Sequence, residues 1–263
     1  ITMYEQRIII NGPDYPIHSV LSFPDGFGPF PCVLMLHGTF SNSEEVGNAF
    51  ATLAHALAEN GIASVRFDFV GAAHSTVDYV NYSISSCMSD CESVLSYMKK
   101  EPEFDMDHMT ILGFSQGAAL ALYYAGLHPK FRNVVSWSGF IDLSYMVDPK
   151  EYEEAKQNGF AHLDIDWCGP LDRGLRWYEE CMNLPSAETF NDINVPILAV
   201  AGSDDTVVSP DHSEEITAKA KDKNSELYIV EGSDHVYNLL NGETEPLDKV
   251  IHKTIEFITK NNG

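Results

Sequence analysis

The sequence predicts an α/β fold in which a mainly parallel sheet is covered by helices on both sides. Short apolar runs alternate with stretches of helical spacing along most of the 263 residues, as expected when strands and helices follow one another. The run from Phe30 to Leu36 is almost continuously apolar, which is typical of a strand buried on both faces. A chain of this length can bury a large core, so we expect one domain over residues 1–263.

The predicted elements follow in a regular order. Residues 5–10 and 16–23 are expected to form two strands joined by a turn, and this pair predicts an antiparallel edge on the sheet. The later strands are expected at 30–36, 62–69, 109–112, 133–137, 195–201 and 226–230. The helices are expected at 44–60, 82–100, 118–128, 211–222 and 246–260.

Residues 141–192 break this alternation. The segment contains Trp167, Trp177, several tyrosines, glycines and prolines, and it is too long for an ordinary connection between two core strands. We expect an inserted cap that folds over the carboxyl ends of the strands, where such sheets bind ligands. A lengthened helical crossover without a role in substrate binding is the alternative.

The composition argues against several kinds of binding partner and against a membrane-spanning or secreted protein. There are 39 acidic and 16 basic residues, for a net charge of -23, which argues against nucleic acid and anionic membrane surfaces as partners. No apolar run approaches the ~20 residues of a membrane span, and the N-terminus has no signal-peptide pattern. Because the chain begins with Ile1 rather than methionine, a trimmed N-terminal segment is compatible with the sequence.

The number and spacing of the cysteines predict the compartment. The five cysteines are odd in number and their spacing is not that of a disulfide framework, so we expect reduced thiols and a cytoplasmic protein. Cys87 and Cys91 are one helical turn apart, and without further ligands nearby they are expected to be small core residues rather than a metal site.

The segment Gly113-Phe114-Ser115-Gln116-Gly117 reads Gly-x-Ser-x-Gly. It follows the apolar run 109–112 and precedes the helix-forming residues 118–122. A serine on a sharp strand-to-helix turn has an exposed hydroxyl, and glycines on either side avoid collision with neighbouring backbone. Since the motif alone is common by chance, its meaning depends on whether the chain supplies a base and an acid for Ser115.

The base is expected to be His235. It lies in Glu231-Gly232-Ser233-Asp234-His235, directly after the last predicted strand, where small neighbours allow the ring to reach another loop. The acid should follow a different core strand. Asp204 and Asp205 both follow the strand at 195–201, and Asp142 follows the strand at 133–137; spacing alone does not separate the two neighbours.

Two backbone donors are predicted for the oxyanion of an acyl-transfer reaction. Gln116 N–H lies at a helix N-terminus, where the helix dipole favours negative charge. Thr39 N–H follows His37-Gly38 in the loop after the strand at 30–36. His37 is expected to be a structural hydrogen-bonding residue rather than a catalyst.

These parts resemble the α/β-hydrolases over nearly the whole chain, and more narrowly the small bacterial feruloyl (cinnamoyl) esterases with a short inserted cap. The resemblance rests on His37 to Glu45, Gly113 to Gly117, Gly202 to Pro210 and Glu231 to His235. It implies a Ser-Asp-His order along the chain and selects Asp205, which precedes x-Val-Val, as the acid. It also implies hydrolysis of hydroxycinnamic esters, with the aromatic acid held by the cap, and no metal or cofactor.

The chain departs from that family in two places. After the strand at 62–69 it has Asp68-Phe69-Val70-Gly71-Ala72-Ala73-His74-Ser75 where the family usually has Asp-x-x-Gly-His-Gly-x-Ser. The cap tyrosine that some members use for the phenol has no clear match. Trp177 and Tyr178 are the candidates in its place, and Asp142 is a further candidate substrate-binding residue.

The sequence thus predicts a serine ester hydrolase that acts on a small-molecule ester. A general short-chain esterase or acylglycerol lipase with the same triad is the second enzymatic hypothesis, and a non-catalytic ligand-binding protein is the third. A homodimer is compatible with the sequence, which does not report the oligomeric state.

Overall fold

A computed structural model describes residues 3–263. The strands are β1 (Tyr4–Asn11), β2 (Pro16–Phe23), β3 (Phe30–Leu36), β4 (Ala63–Phe67), β5 (Phe104–Phe114), β6 (Asn133–Trp137), β7 (Phe160–Ile165), β8 (Gly169–Gly174), β9 (Ile197–Gly202) and β10 (Glu226–Val230). The helices are α1 (Ala49–Glu59), α2 (Ile84–Met98), α3 (Gln116–Leu127), α4 (Pro149–Asn158), α5 (Leu175–Asn183), α6 (Ser186–Thr189), α7 (Asp211–Lys219) and α8 (Glu245–Asn262).

Eight strands form one sheet in the order β1-β2-β4-β3-β5-β6-β9-β10. In this sheet the neighbours from β4 through β3, β5, β6 and β9 to β10 pair in parallel, whereas β1 pairs antiparallel with β2 and β2 antiparallel with β4. The predicted mainly parallel sheet with an antiparallel edge is therefore confirmed. The carboxyl ends of β3, β5, β9 and β10 all point to one edge, and the loops that follow them meet there.

Two apolar layers cover the sheet. One contains α2 and α3 and the other contains α1 and α8, and alternate residues of each central strand enter opposite layers. On β3, for example, Leu34 enters one layer while Val33 and Met35 enter the other. This two-sided burial explains the continuous apolar run and fixes β3 and β5 at the centre of the molecule.

The region before α1 differs from the prediction. Helical spacing predicts a helix from residue 44, but α1 begins at Ala49. Glu45, Gly47 and Asn48 have φ of 60°, 57° and 59°, a left-handed conformation that cannot continue a right-handed helix. The predicted helical spacing holds from residue 49 onward, and residues 44–48 belong to the loop after β3.

Residues 141–192, the segment predicted to be a cap and called the cap below, contain α4, the β7–β8 hairpin, α5 and α6. The hairpin is a separate two-stranded sheet, and its tip contains the exposed Trp167 and Cys168. The other four cysteines are buried, and none of the five is in a disulfide, in agreement with the prediction of free thiols. Within the described residues 3–263, no helix combines the length and apolar character that crossing a membrane requires.

Candidate active site

Ser115 lies on a sharp turn between β5 and α3. Its backbone has φ 55° and ψ -123°, a strained conformation for a residue with a side chain, and such strain clusters at functional sites. The flanking glycines make the turn sterically feasible. A Cβ on Gly113 would lie 2.0 Å from the Gly117 carbonyl oxygen, and a Cβ on Gly117 would lie 2.1 Å from the Leu36 carbonyl oxygen.

A continuous hydrogen-bonded chain links Ser115 to a histidine and an aspartate. His235 Nε2 lies 3.1 Å from Ser115 Oγ, and His235 Nδ1 lies 2.7 Å from Asp205 Oδ2. The Asp205 side chain has no exposed surface, and its other carboxylate oxygen, Oδ1, accepts the N–H groups of Val207 and Val208 at 2.9 and 2.8 Å. These bonds fix the carboxylate, which in turn fixes the imidazole ring toward Ser115.

The neighbouring acid candidates lie elsewhere. Asp204 is exposed, and its Oδ1 accepts the hydroxyl of Ser203 at 2.8 Å. Asp142 is also exposed, and its Oδ1 accepts Ser144 N–H at 2.9 Å. The structure therefore brings Asp205 to His235, while Asp204 and Asp142 make local turn and cap contacts.

Ser138 and Phe114 contact the loop that carries His235. Ser138 Oγ lies 3.4 Å from the His235 carbonyl oxygen and 3.0 Å from Tyr237 Oη. The Phe114 ring packs against the imidazole with centroids 5.1 Å apart. Burial raises the pKa of Tyr237, so the phenol stays neutral and serves as a hydrogen-bonding support.

The two predicted oxyanion donors follow β3 and β5, which are neighbouring parallel strands. Neither Thr39 N–H nor Gln116 N–H donates to an acceptor within residues 3–263. Their side chains are joined, because Thr39 Oγ1 donates to Gln116 Oε1. Gln116 Nε2 donates to Tyr82 Oη at 2.9 Å, so the amide is anchored at both ends and keeps the two loops in register.

His37 is buried and makes two backbone contacts. Phe69 N–H donates to His37 Nε2 at 3.1 Å, so Nδ1 carries the hydrogen and donates to the Gly38 carbonyl at 2.8 Å. Burial lowers the pKa of His37, which agrees with a neutral ring. The structure thus places His37 as the hydrogen-bonding support that the sequence predicts.

Asp68 ties the same loop to the strand beside it. Its Oδ1 accepts Ser43 N–H at 2.8 Å, and its Oδ2 contacts His74 Nδ1 at 3.0 Å. Burial alone would raise the pKa of Asp68, but these hydrogen bonds outweigh it and hold the pKa below its usual value. The divergent loop around His74 therefore still supports the Thr39 loop.

Aromatic side chains lie next to the oxyanion loop. Phe40 directly follows Thr39, and its ring centroid lies 5.3 Å from that of Tyr79 and 6.4 Å from that of Trp167. Trp167 Nε1 donates to the Phe40 carbonyl at 3.1 Å, although 71% of Trp167 is exposed. The tip of the cap hairpin thus rests on the loop that carries Thr39.

Trp177 and Tyr178 lie inside the cap, where each has 0% exposed surface. The Arg173 guanidinium carbon lies 3.9 Å from the centre of the Trp177 ring, and its Nε donates to Tyr178 Oη at 3.1 Å. Arg173 Nη2 also pairs with Glu151 Oε2 at 2.6 Å. These contacts are internal to the cap. No hydrogen bond or aromatic contact among the described residues joins Trp177, Tyr178 or Asp142 to the triad, and their role in binding stays a prediction.

Sequence reasoning missed Arg173 and Tyr79, and it placed Glu45 in a helix rather than in the loop after β3. Arg173 and Tyr79 are far apart in sequence and belong to no recognisable motif, so nothing local marks them. Glu45 could have been assigned to the loop, because it is the last residue of the segment His37 to Glu45 on which the family resemblance rests, but helical spacing predicts a helix from residue 44.

Comparisons with known proteins agree with this architecture. Residues 48–263 match the model of the prolyl oligopeptidase family. The chain superimposes on Est1E from Butyrivibrio proteoclasticus, solved with ferulic acid bound, with a TM-score of 0.81 and 19% identity over 97% of this chain and 98% of that one. At this identity the likeness shows the fold, and it confirms the predicted α/β-hydrolase architecture.

Two curated relatives match part of the chain. It is 28% identical to the 2,6-dihydropseudooxynicotine hydrolase of Paenarthrobacter nicotinovorans over 53% of this chain and 36% of that protein. It is 28% identical to the esterase FrsA of Klebsiella pneumoniae over 51% of this chain and 31% of that protein. The matches thus span only about a third of the length of these relatives.

Proposed function

Because the chain belongs to the prolyl oligopeptidase family, we propose that it is a serine hydrolase that cleaves carboxylic esters through an acyl-enzyme on Ser115. The observation that carries the proposal is the chain from Ser115 Oγ through His235 to Asp205, with links of 3.1 and 2.7 Å. A serine hydroxyl is a poor nucleophile at neutral pH, and an oriented imidazole within hydrogen-bond reach supplies the base it needs.

In the proposed acylation step, Ser115 Oγ attacks the ester carbonyl carbon while His235 Nε2 takes the hydroxyl proton. The Asp205 carboxylate holds the Nδ1–H tautomer and stabilises the imidazolium that forms. His235 then passes the proton to the leaving alkoxide oxygen, which departs as the alcohol. Water, deprotonated by the same imidazole, attacks the acyl-enzyme, and the proton returns to Ser115 as the acid is released.

The tetrahedral intermediate of each step carries a negative oxygen. Thr39 N–H and Gln116 N–H are free to donate to it, since neither has an acceptor within residues 3–263. Gln116 is the first residue of α3, so the positive end of the helix dipole adds to the stabilisation. Removing one such donor typically costs about 10²–10³-fold in kcat.

The proposed acyl group is a hydroxycinnamoyl group. Three aromatic rings, those of Phe40, Tyr79 and Trp167, cluster beside Thr39, and such a cluster favours a flat aromatic acid over a short aliphatic one. The fold shared with Est1E, whose structure holds ferulic acid, also supports the proposal. Trp177 and Tyr178 would then support the cap from within.

Two other substrate classes are alternatives to hydroxycinnamoyl esters. Short-chain esters and acylglycerols need only the same triad. Peptides are the second candidate, because the family is named for prolyl oligopeptidases and a Ser-His-Asp triad can also cleave amides.

A substrate panel separates these classes. It compares kcat/KM for methyl ferulate, methyl p-coumarate, p-nitrophenyl butyrate, a monoacylglycerol and a prolyl p-nitroanilide. We expect the two hydroxycinnamates to exceed the others by at least about tenfold, a difference of about 1.4 kcal/mol in transition-state binding. Preference for the aliphatic esters or for the anilide would contradict the acyl assignment while leaving the triad intact.

The binding partner and the cellular compartment of the protein are also proposed rather than shown. The net charge of -23 supports a small-molecule ester as the partner rather than nucleic acid or an anionic membrane. A cytoplasmic setting and a homodimer stay predictions.

A further inference from the structure

Glu45 lies in the loop that carries the proposed oxyanion donor Thr39, and its carboxylate reaches back along this loop. Oε2 accepts Gly38 N–H at 2.7 Å, and Oε1 accepts Ser41 Oγ–H at 2.6 Å and Val46 N–H at 2.9 Å. The residue is 7% exposed. One buried carboxylate therefore closes the loop into a ring around Thr39.

The backbone of Glu45 is strained in a way that local sequence does not explain. Its φ is 60° and its ψ is 174°, a region that is essentially restricted to glycine. A glutamate persists there only if its surroundings hold it, and strain of this kind clusters at functional sites. The three hydrogen bonds of the carboxylate supply that restraint.

These bonds bear on the Gly38–Thr39 peptide, whose N–H is the proposed oxyanion donor. The carbonyl of that peptide accepts His37 Nδ1–H at 2.8 Å and Ser41 N–H at 3.3 Å. In a planar trans peptide the N–H points opposite to the C=O. Fixing the Gly38 carbonyl therefore fixes the direction of Thr39 N–H, and the Glu45 carboxylate fixes the other side of Gly38 and the Ser41 side chain.

We propose that Glu45 is a positioning residue of the oxyanion hole, whose carboxylate holds Gly38 and Ser41 so that Thr39 N–H points at the developing oxyanion. The inference rests on the proposed acyl transfer at Ser115. Glu45 touches neither the triad nor the reacting atoms by this account, so its loss acts through the orientation of Thr39. The effect belongs to the transition state and leaves ground-state binding of the ester almost unchanged.

The test uses Glu45→Gly as its main variant, because glycine suits the backbone at φ 60° and its introduction removes the carboxylate together with the rest of the side chain. Glu45→Gln is the second variant; it keeps the size of the side chain but turns one acceptor oxygen into a donor. Glu44→Gln is the matched control. Glu44 is the adjacent residue and loses the same charge, but its carboxylate pairs with Arg7 and Arg66.

Four quantities are measured on each folded protein: kcat and KM with p-nitrophenyl acetate, Ki for an arylalkyl trifluoromethyl ketone, and the melting temperature. The ketone forms a tetrahedral adduct with the serine, and its oxyanion occupies the same hole. We expect both Glu45 variants to lose on the order of 10- to 100-fold in kcat, with KM within about threefold. Ki should rise by the same factor as kcat/KM falls, while Glu44→Gln stays within about twofold in kcat.

The outcomes separate this inference from the proposed function. A folded Glu45→Gly with kcat and Ki within twofold of an active wild type would overturn the positioning role and leave the triad standing. A loss confined to KM or to melting temperature would do the same, since it would show a purely structural role. A wild type without esterase activity would overturn the proposed function, and the positioning role with it.

Discussion

Asp204 and Asp205 are adjacent after β9, but only the Asp205 carboxylate contacts His235 among the described residues, so a substitution at each position tests which carboxylate orients the imidazole. Asp205→Asn replaces the carboxylate that lies 2.7 Å from His235 Nδ1. Asparagine can still accept the Val207 and Val208 N–H groups with its oxygen, so the fold of the loop is retained. Its NH2 group then faces Nδ1, which must become the acceptor.

That change inverts the tautomer of the imidazole. With Nδ1 as acceptor, Nε2 carries the hydrogen and cannot take the proton of Ser115, 3.1 Å away. The same carboxylate-to-amide change in the Ser-His-Asp triad of an unrelated protease costs about 10⁴-fold in kcat, or about 5.5 kcal/mol at about 1.4 kcal/mol per factor of ten. We expect a loss of that order for Asp205→Asn.

The matched control is Asp204→Asn, because the exposed Asp204 carboxylate contacts only Ser203 Oγ among side chains of the described residues. It should retain kcat/KM within about threefold. Hydrolysis of p-nitrophenyl acetate is the assay, with circular dichroism and thermal melting as the check on folding. A larger loss for Asp204→Asn than for Asp205→Asn would refute the assignment of the acid.

Two further predictions concern stability. Burial raises the pKa of Asp90 from its usual 3.8 to about 7. Between those pH values the folded protein keeps a proton that the unfolded chain releases, so the free energy of unfolding falls as pH rises. Asp90→Asn should remove that fall and raise the free energy of unfolding at pH 8 by up to about 4 kcal/mol; urea unfolding at pH 5 and pH 8 measures it, and a variant with the pH dependence of the wild type would contradict this. Gly117→Ala would put a Cβ 2.1 Å from the Leu36 carbonyl oxygen, so we expect a loss of at least about 3 kcal/mol or failure to fold; a variant that melts with the wild type would contradict the tight elbow.

The sequence predicts most of the sheet because each core strand is a local pattern. The apolar run of β3 and the turn between β1 and β2 are visible in a few consecutive residues, and the structure confirms both. The elbow and the position of His235 after the last strand are equally local. Spacing alone leaves Asp204 and Asp205 open, whereas the folded chain buries one and exposes the other.

The features that sequence analysis missed depend on contacts between distant residues or on backbone angles. Helical spacing at 44–60 hides the positive φ of Glu45, because the pattern of side chains does not record where the backbone turns left-handed. Arg173 packs on Trp177 within the cap and also lies near Phe40, 133 positions earlier, with its guanidinium carbon 5.3 Å from that ring centre. No window of sequence contains both partners, so only the folded cap shows them together.

The central claim is that Ser115 is an activated nucleophile. Labelling with a fluorophosphonate probe tests it most directly, since the probe reacts with a serine whose hydroxyl is activated, whatever acyl group the natural ester carries. Intact mass and peptide mapping of the wild type and Ser115→Ala should show one adduct, on Ser115, in the wild type and none in the variant. An unlabelled wild type, or an adduct that persists in Ser115→Ala, would contradict the account.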